Sequence, residues 1–275
     1  MKILDFIRVV KNALMGTVLL LFIWKFFNYF LTGMVWDGLE LSNSSIKGEY
    51  CERNISAAFF HQSMNTYSNL AYFFFGLIIL QIGVFDRKNP VRKFNNKLIS
   101  YPGLSMLTGS IFMYLCFGSA FFHASLTKLS QYVDMNGTYG ITVILIAIGT
   151  YDVFSAKPLT AKHQKMFILL LSLFVLSFYQ WYFILPSSKL FPFMMLISLI
   201  LTITSIFKSY PRKRISLAIL SIALLILAIQ IRTVDVQKIN CDPLSIWQGH
   251  SFWHLLTAMS SFCTFSFYRF QKEVK

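Results

Sequence analysis

The sequence predicts an all-α integral membrane protein that forms one helical bundle. Hydrophobic residues occupy 56% of its 275 positions, charged residues occupy only 13%, and the mean hydropathy is +0.58. A soluble domain carries about 25% charged residues, so this chain has too few charges to cover a water-facing surface. Apolar runs of about 20 residues, the length that crosses a bilayer, recur along the whole chain. They predict a seven-helix core with one extra N-terminal transmembrane helix.

The predicted spans follow one another without a long linker. The first span is interrupted by Lys25, and no pair of small residues follows it as a signal-peptide cleavage site would require. We therefore expect residues 1–40 to form the extra transmembrane helix and residues 41–275 to form the seven-helix domain. The predicted spans are 12–36, 65–85, 101–125, 131–151, 166–186, 188–207, 215–232 and 245–268.

The distribution of positive charge predicts the orientation of the spans. The net charge is +14, and most of the 25 lysines and arginines fall on one side when the spans alternate across the membrane. Cytoplasmic loops collect Lys and Arg, so we expect both termini inside. A nucleic-acid partner is disfavoured because no soluble domain carries a basic groove. The inside clusters contain Lys2, Arg8, Lys11, Arg87, Lys88, Arg92, Lys93, Lys97, Lys157, Lys162, Lys165, Lys208, Arg212, Lys213, Arg214, Arg269, Lys272 and Lys275.

Polar side chains gather at the outer ends of the predicted helices. Ser119 and His123 lie four residues apart near the outer end of the third span, so they share one helix face. Asp134 follows at the outer start of the fourth span. His250 and His254 form a second four-residue pair at the outer start of the last span. Ionisable groups near hydrocarbon are costly, so a cluster at one depth indicates a functional site.

Three imidazoles from two helices predict a zinc site. Catalytic zinc typically has three protein ligands and an open fourth position for water, whose pKa it lowers to about 7. The three histidines of the cluster supply the ligands. Asp134 can then transfer a proton, and the Ser119 hydroxyl can donate to a developing oxyanion. His61 and His163 are expected on surface loops instead.

These residues resemble the active-site pattern of the alkaline ceramidases, which belong to a group of seven-helix hydrolases that includes the adiponectin receptors. Three segments are also similar to that family. They are YCERN at 50–54, NTYSNL at 65–70 and CDPLSIWQGHSFWHLL at 241–256, the last being similar to the bacterial ceramidase-type sequence. The resemblance spans about residues 48–270 and leaves residues 1–36 as an addition.

The resemblance implies a zinc-dependent amidase that hydrolyses ceramide to a sphingoid base and a free fatty acid. It implies that His123, His250 and His254 bind zinc. Asp134 would be the general acid and base, while Ser119 would hold the zinc-bound water or stabilise the oxyanion. The form of the last helix implies a bacterial cytoplasmic membrane. The orientation predicted from the positive charges puts the zinc site toward the outer face of that membrane.

Trp253, immediately before the last histidine, has two interpretations. It either lines the lipid pocket of such an enzyme or belongs to the interfacial aromatic belt of the membrane.

The resemblance also implies a calcium site before the first core helix. The candidate ligands are Glu49, Glu52, Asn54 and Gln62, with Tyr50 as a further position. Gln62 stands where the family has an acidic ligand. Calcium prefers several hard oxygens, so the loss of a carboxylate predicts weak binding, and a solvated outer loop is the alternative.

Four cysteines fall into two groups. Cys51 and Cys241 lie on the predicted outer side, where oxidising conditions permit a bridge, and the resemblance implies that they pair. Cys116 and Cys263 lie within helices and are expected to pack as small apolar residues.

Two other functions remain open from the residues. Chemistry alone predicts a hydrolase of some membrane-embedded amide or ester, so the substrate could be a lipid other than ceramide. A zinc-bearing seven-helix receptor or structural membrane protein could instead use the metal only to join two helices. In that case Asp134 would close the site as a fourth ligand. The expected partner is a membrane lipid, and no obligate protein partner is predicted.

Overall fold

A computed structural model describes residues 3–90, 96–157, 159–181, 187–209 and 215–270. The described chain forms an all-α membrane helical bundle, which confirms the predicted fold class. Its helices are α1 (Ile3–Phe30), α2 (Asn43–Ile46), α3 (Ser63–Ser68), α4 (Leu70–Lys88), α5 (Pro102–Ser125), α6 (Lys128–Phe154), α7 (Ala161–Trp181), α8 (Ser187–Ser209), α9 (Ile215–Val236) and α10 (Gly249–Arg269).

Six of the described helical segments are long and apolar enough to cross a membrane. They are Ile3–Phe30, Ser63–Lys88, Pro102–Ser125, Lys128–Phe154, Leu190–Lys208 and Ile215–Val236. The remaining two predicted spans correspond to α7 and α10, which have 21 residues each. α10 is more polar than the six, because it carries two histidines and many hydroxyl groups. The predicted end of the α7 span, at residues 182–186, lies outside the described residues.

The extra N-terminal helix begins and ends earlier than predicted. Hydropathy placed it at 12–36, whereas α1 covers Ile3–Phe30. Backbone hydrogen bonding continues into the polar first turns, which an apolar scan does not detect. Shortly after the end of the helix, the Gly33 amide donates to the Ala57 carbonyl at 3.0 Å. A Cβ at Gly33 would lie 1.7 Å from the Ser56 carbonyl oxygen, so this close approach requires glycine.

Small residues allow α4 and α5 to pack with their backbones close together. A Cβ at Gly109 would lie 2.7 Å from the Gly76 carbonyl oxygen, and a Cβ at Gly76 would lie 3.0 Å from the Gly109 carbonyl oxygen. Such crossings are typical of membrane helices, where van der Waals packing drives helix association. α5 and α6 are the most buried of the six apolar segments. They therefore form the centre of the bundle.

The C-terminal ends of α4 and α10 are joined by a buried ion pair. The Arg269 guanidinium donates from Nε to Asp86 Oδ2 at 2.7 Å and from Nη2 to Asp86 Oδ1 at 2.5 Å. Both residues are at most 5% exposed. A paired charge is tolerated in a buried position because each ion satisfies the other. This contact fixes α10, which carries two of the predicted zinc ligands, against α4.

Basic residues cluster at the predicted inner ends of the helices. The lysine ammonium groups of Lys97 and Lys208 donate to the carbonyls of Asp152 and Val153 at the end of α6. Cations are favourable at a helix C-terminus because of the helix dipole. The predicted inside clusters at Lys2, at 92–93, at 212–214 and at 272–275 lie outside the described residues. The orientation of the bundle stays a prediction.

Candidate metal centre

Three buried histidines converge between the end of α5 and the start of α10. His123 is fully buried, and His250 and His254 are each 4% exposed. One ring nitrogen from each lies within 4.8 Å of the corresponding atoms of the other two. In the described part of the chain, this is the one group of three or more His, Cys, Asp or Glu side chains that could hold a metal ion.

The turn between α5 and α6 brings His123 and Asp134 to the same end of the bundle. Leu126 ends α5 in the left-handed conformation, with φ at 56°. Thr127 then caps α6, because its hydroxyl accepts a hydrogen bond from the Ser130 amide. The two helices are therefore separated by only two residues. His123 lies in the last turn of α5 and Asp134 in the second turn of α6.

Gln62 fixes the protonation pattern of the His123 ring. Its Oε1 lies 2.8 Å from His123 Nδ1, and a carbonyl oxygen can only accept, so Nδ1 must donate. The glutamine is itself oriented by its Nε2, which donates to Asn54 Oδ1 at 2.7 Å. His123 Nε2 is consequently left with its lone pair. It is buried without a hydrogen-bond partner among the described residues.

Ser68 has the same effect on His254. The Ser68 hydroxyl donates to the Asn65 carbonyl at 2.9 Å, which uses its single proton. His254 Nδ1, 2.8 Å from Ser68 Oγ, must therefore donate to that oxygen and leave Nε2 unprotonated. His250 Nδ1 is another buried nitrogen without a partner in the described chain. Inward-facing nitrogens with free lone pairs fit a divalent cation, and imidazole is a common zinc ligand.

Ser119 and Asp134 are neighbours at the histidine end of α5 and α6. The Ser119 side chain lies close enough to the Asp134 carboxylate to interact with it. Ser119 is 2% exposed and lies one turn before His123 on α5, whereas Asp134 is partly buried on α6. The structure thus brings both predicted catalytic residues together at the histidine end of these two helices.

Tyr50 covers one side of the histidine cluster. Its ring centroid lies 4.1 Å from that of His250 and 5.3 Å from that of His123. Burial, with the charge of Glu49 as a smaller cause, raises the pKa of Tyr50 well above its usual range. The hydroxyl therefore stays protonated and can donate a hydrogen bond. The sequence placed Tyr50 only among the further calcium positions, and nothing in its local pattern indicated a contact with α10.

The candidate calcium ligands are engaged with protein groups. Both carboxylate oxygens of Glu52 accept from backbone amides, at 2.7 Å from Met64 and 2.8 Å from Asn65. They therefore satisfy the free amides at the start of α3. Glu49 pairs with Arg232 at 3.2 Å. With Gln62 committed to His123, these side chains do not form one shell of oxygens, and calcium binding stays a prediction.

A disulfide joins the segment before α3 to the segment before α10. Cys51 and Cys241 are bridged, with their Cα atoms 5.7 Å apart. The free cysteines, Cys116 and Cys263, are both buried. Trp253 is partly buried, and the Arg232 guanidinium lies 5.6 Å from its ring centroid.

One of the two remaining histidines differs from its predicted surface position. His61 is only 8% exposed, and its amide donates to the Ala124 carbonyl at 3.0 Å. The expectation of a surface loop was therefore wrong for His61, because the segment before α3 packs against the end of α5. His163 is exposed at the start of α7, where its Nδ1 lies 2.8 Å from the Thr160 hydroxyl.

A comparison with protein families identifies the family to which this helical bundle belongs. The family model described as Ceramidase matches residues 42–274, which is most of the chain. The chain belongs to the ceramidase family. Comparisons with curated proteins and with solved structures each gave no match. Family membership identifies an amide hydrolase, and its substrate class is ceramide, the lipid after which the family is named.

Proposed function

We propose that this ceramidase-family protein is a zinc-dependent membrane amidase that hydrolyses the amide bond of ceramide to a sphingoid base and a free fatty acid. The observation that carries the proposal is the buried cluster of His123, His250 and His254 in a chain that matches the family over residues 42–274. Three buried imidazoles from two helices match the ligand set of a catalytic zinc site.

The histidines would hold the metal through their ring nitrogens, two of which, His123 Nε2 and His250 Nδ1, are buried without a hydrogen-bond partner among the described residues. Gln62 and Ser68 take the Nδ1 protons of His123 and His254, so the Nε2 atoms of both rings are available. When bound, zinc supplies Lewis-acid chemistry and lowers the pKa of water toward neutrality. Buried, hydrogen-bonded ligands hold a fixed geometry for that chemistry.

Asp134 is the proposed proton carrier. Amide hydrolysis needs a base that removes a proton from the attacking water and an acid that protonates the leaving nitrogen. A single carboxylate can do both in turn. The Ser119 side chain lies next to the Asp134 carboxylate, where its hydroxyl can orient that carboxylate by donating a hydrogen bond. A hydroxyl that donates to Asp134 is not free to donate to an oxyanion at the same time, so we assign Ser119 to positioning Asp134 in the resting state.

An Asp134→Asn variant separates catalysis from metal binding. We expect fatty-acid release from ceramide to fall about 10²–10⁴-fold, the usual contribution of general acid–base catalysis, while zinc content stays at the wild-type level. Asp37→Asn is a suitable control because Asp37 is an exposed carboxylate in the segment after α1. Loss of zinc from Asp134→Asn would contradict the proposal, because it would make Asp134 a ligand of a closed, structural site.

A further inference from the structure

We propose that Asp235 is a positioning residue that fixes the first turn of α10, and with it the two histidines of that helix, against the segment around Cys51. The inference rests on the proposed zinc site, because its consequence is read at the metal. Asp235 lies in the last turn of α9 and is 4% exposed. No feature of its local sequence marks it as part of the site.

The carboxylate of Asp235 joins two segments that carry the site. Its Oδ1 accepts from the His250 amide at 3.1 Å. Its Oδ2 accepts from the Cys51 amide at 3.3 Å. Hydrogen bonds to a charged acceptor are stronger than neutral ones. One buried side chain therefore satisfies an amide in the first turn of α10 and holds a separate part of the chain beside it.

Gly249 makes this close approach possible. A Cβ at position 249 would lie 2.9 Å from Asp235 Cβ and 3.0 Å from its Oδ1. A Cβ at position 249 would therefore force either the start of α10 or the end of α9 to move. The glycine at the start of α10 is therefore matched to the carboxylate at the end of α9. Enlarging Gly249 provides a second, independent way to disturb the same contact.

The contact bears directly on the geometry of the histidines. His250 is the second residue of α10, so a shift of the first turn moves its ring and, one turn later, that of His254. The hydrogen bond from the Cys51 amide to Asp235 also fixes the neighbouring Tyr50. The ring centroid of Tyr50 lies 4.1 Å from that of His250. Asp235 thus constrains His250 in two ways. It binds the His250 backbone amide directly, and it holds the segment whose Tyr50 ring packs on the His250 ring.

A neighbouring ion pair joins the same segments less strongly. Arg232, one turn before Asp235 on α9, pairs with Glu49 at 3.2 Å. The two side chains are 39% and 27% exposed, and such pairs contribute little because water competes for both partners. Asp235, in contrast to Arg232 and Glu49, is buried. We therefore assign the positioning role to it.

The test compares metal binding by Asp235→Asn, Gly249→Ala and the wild type. In Asp235→Asn, an amide donor would replace one of the two accepting oxygens and face a backbone N–H. We expect both variants to bind zinc about 10–100-fold more weakly in competition with a chelator. We also expect the visible absorption of the cobalt-substituted protein to change, because that spectrum reports ligand geometry. Loss of packing elsewhere would not alter the spectrum of the site.

Asp242→Asn is the matched control. Asp242 is exposed in the segment before α10, and its Oδ1 accepts only a local bond from the Leu244 amide at 3.1 Å. This variant is expected to bind both metals as the wild type does. Wild-type affinity and an unchanged cobalt spectrum in Asp235→Asn and Gly249→Ala would overturn the role of Asp235 alone. A wild-type protein that binds neither metal would overturn the proposed function, and this inference with it.

Discussion

Residues that orient two of the three histidines come from segments far away in the sequence. Gln62 and Ser68 lie before and at the end of α3, about 60 and 190 positions from the rings that they contact. The histidines themselves could be predicted, because their four-residue spacing and their depth are visible in one sequence. Their hydrogen-bond partners could not, because each pairing depends on how α3 packs against α5 and α10.

Replacing Gln62 with leucine tests its role as the partner of His123. The change removes the acceptor for a buried Nδ1–H, which costs about 1–3 kcal/mol, and frees the ring to adopt the other tautomer. We expect zinc affinity to fall about 10–100-fold, measured by chelator competition. Gln131→Leu is the control, since Gln131 donates to the Ser44 hydroxyl on α2 instead. Equal zinc affinity in the wild type and Gln62→Leu would contradict the assignment.

The buried carboxyl group of Glu52 is expected to make the stability of the protein depend on pH. Burial raises its pKa to about 7, although the amides of Asn65 and Met64 oppose the shift. The folded protein thus binds this proton more tightly than the unfolded chain does. The contribution of Glu52 to stability is fully present below the unfolded pKa of about 4.5, and is lost as pH rises to about 7.

The prediction is checked by measuring the Tm of the wild type and Glu52→Gln across this pH range. The difference in stability between the two should change by no more than about 3 kcal/mol over the window. Glu40→Gln serves as a control, because Glu40 is an exposed residue paired with Lys128. A Glu52→Gln protein with the same pH profile as the wild type would show that the carboxyl group does not titrate in this way.

At the level of helices and segments, the site depends on how the start of α10 is held. Its first turn contacts Asp235 of α9, and the segment before it is bridged through Cys241 to Cys51. At its other end, Arg269 pairs with Asp86. Sequence patterns placed the long helices to within a few residues, except for α1. They could not predict the buried position of His61, because it depends on a contact between a loop and a helix end.

The disulfide is expected to stabilise the bundle and to resist labelling. It joins residues 190 positions apart, for which the chain-entropy model gives on the order of 5 kcal/mol. We expect a reducing agent to lower the Tm of the wild type and to leave that of Cys51→Ser, which is already lower, unchanged. Maleimide labelling followed by mass spectrometry checks the bridge. Labelling of Cys51 or Cys241 before reduction would contradict it.

For the whole molecule, composition and the recurring apolar runs were sufficient to predict a helical membrane bundle. The low proportion of charged residues excluded a soluble fold, and the resemblance to alkaline ceramidases is confirmed by the family match over residues 42–274. The division into residues 1–40 and 41–275 stays a prediction, as does the orientation with the site toward the outer face. The orientation is defined relative to the membrane, and the division separates an added helix from the family's seven-helix core. Neither is determined by contacts between residues of one molecule.

The most direct test of the account is fatty-acid release from a panel of ceramides, measured by mass spectrometry. Detergent-purified protein would be supplied with zinc and compared with His123→Ala, which lacks one of the three ligands. We predict that the wild type releases fatty acid and that His123→Ala loses both zinc and release. A wild-type protein that retains zinc and releases no fatty acid from any ceramide of the panel would contradict the proposed function.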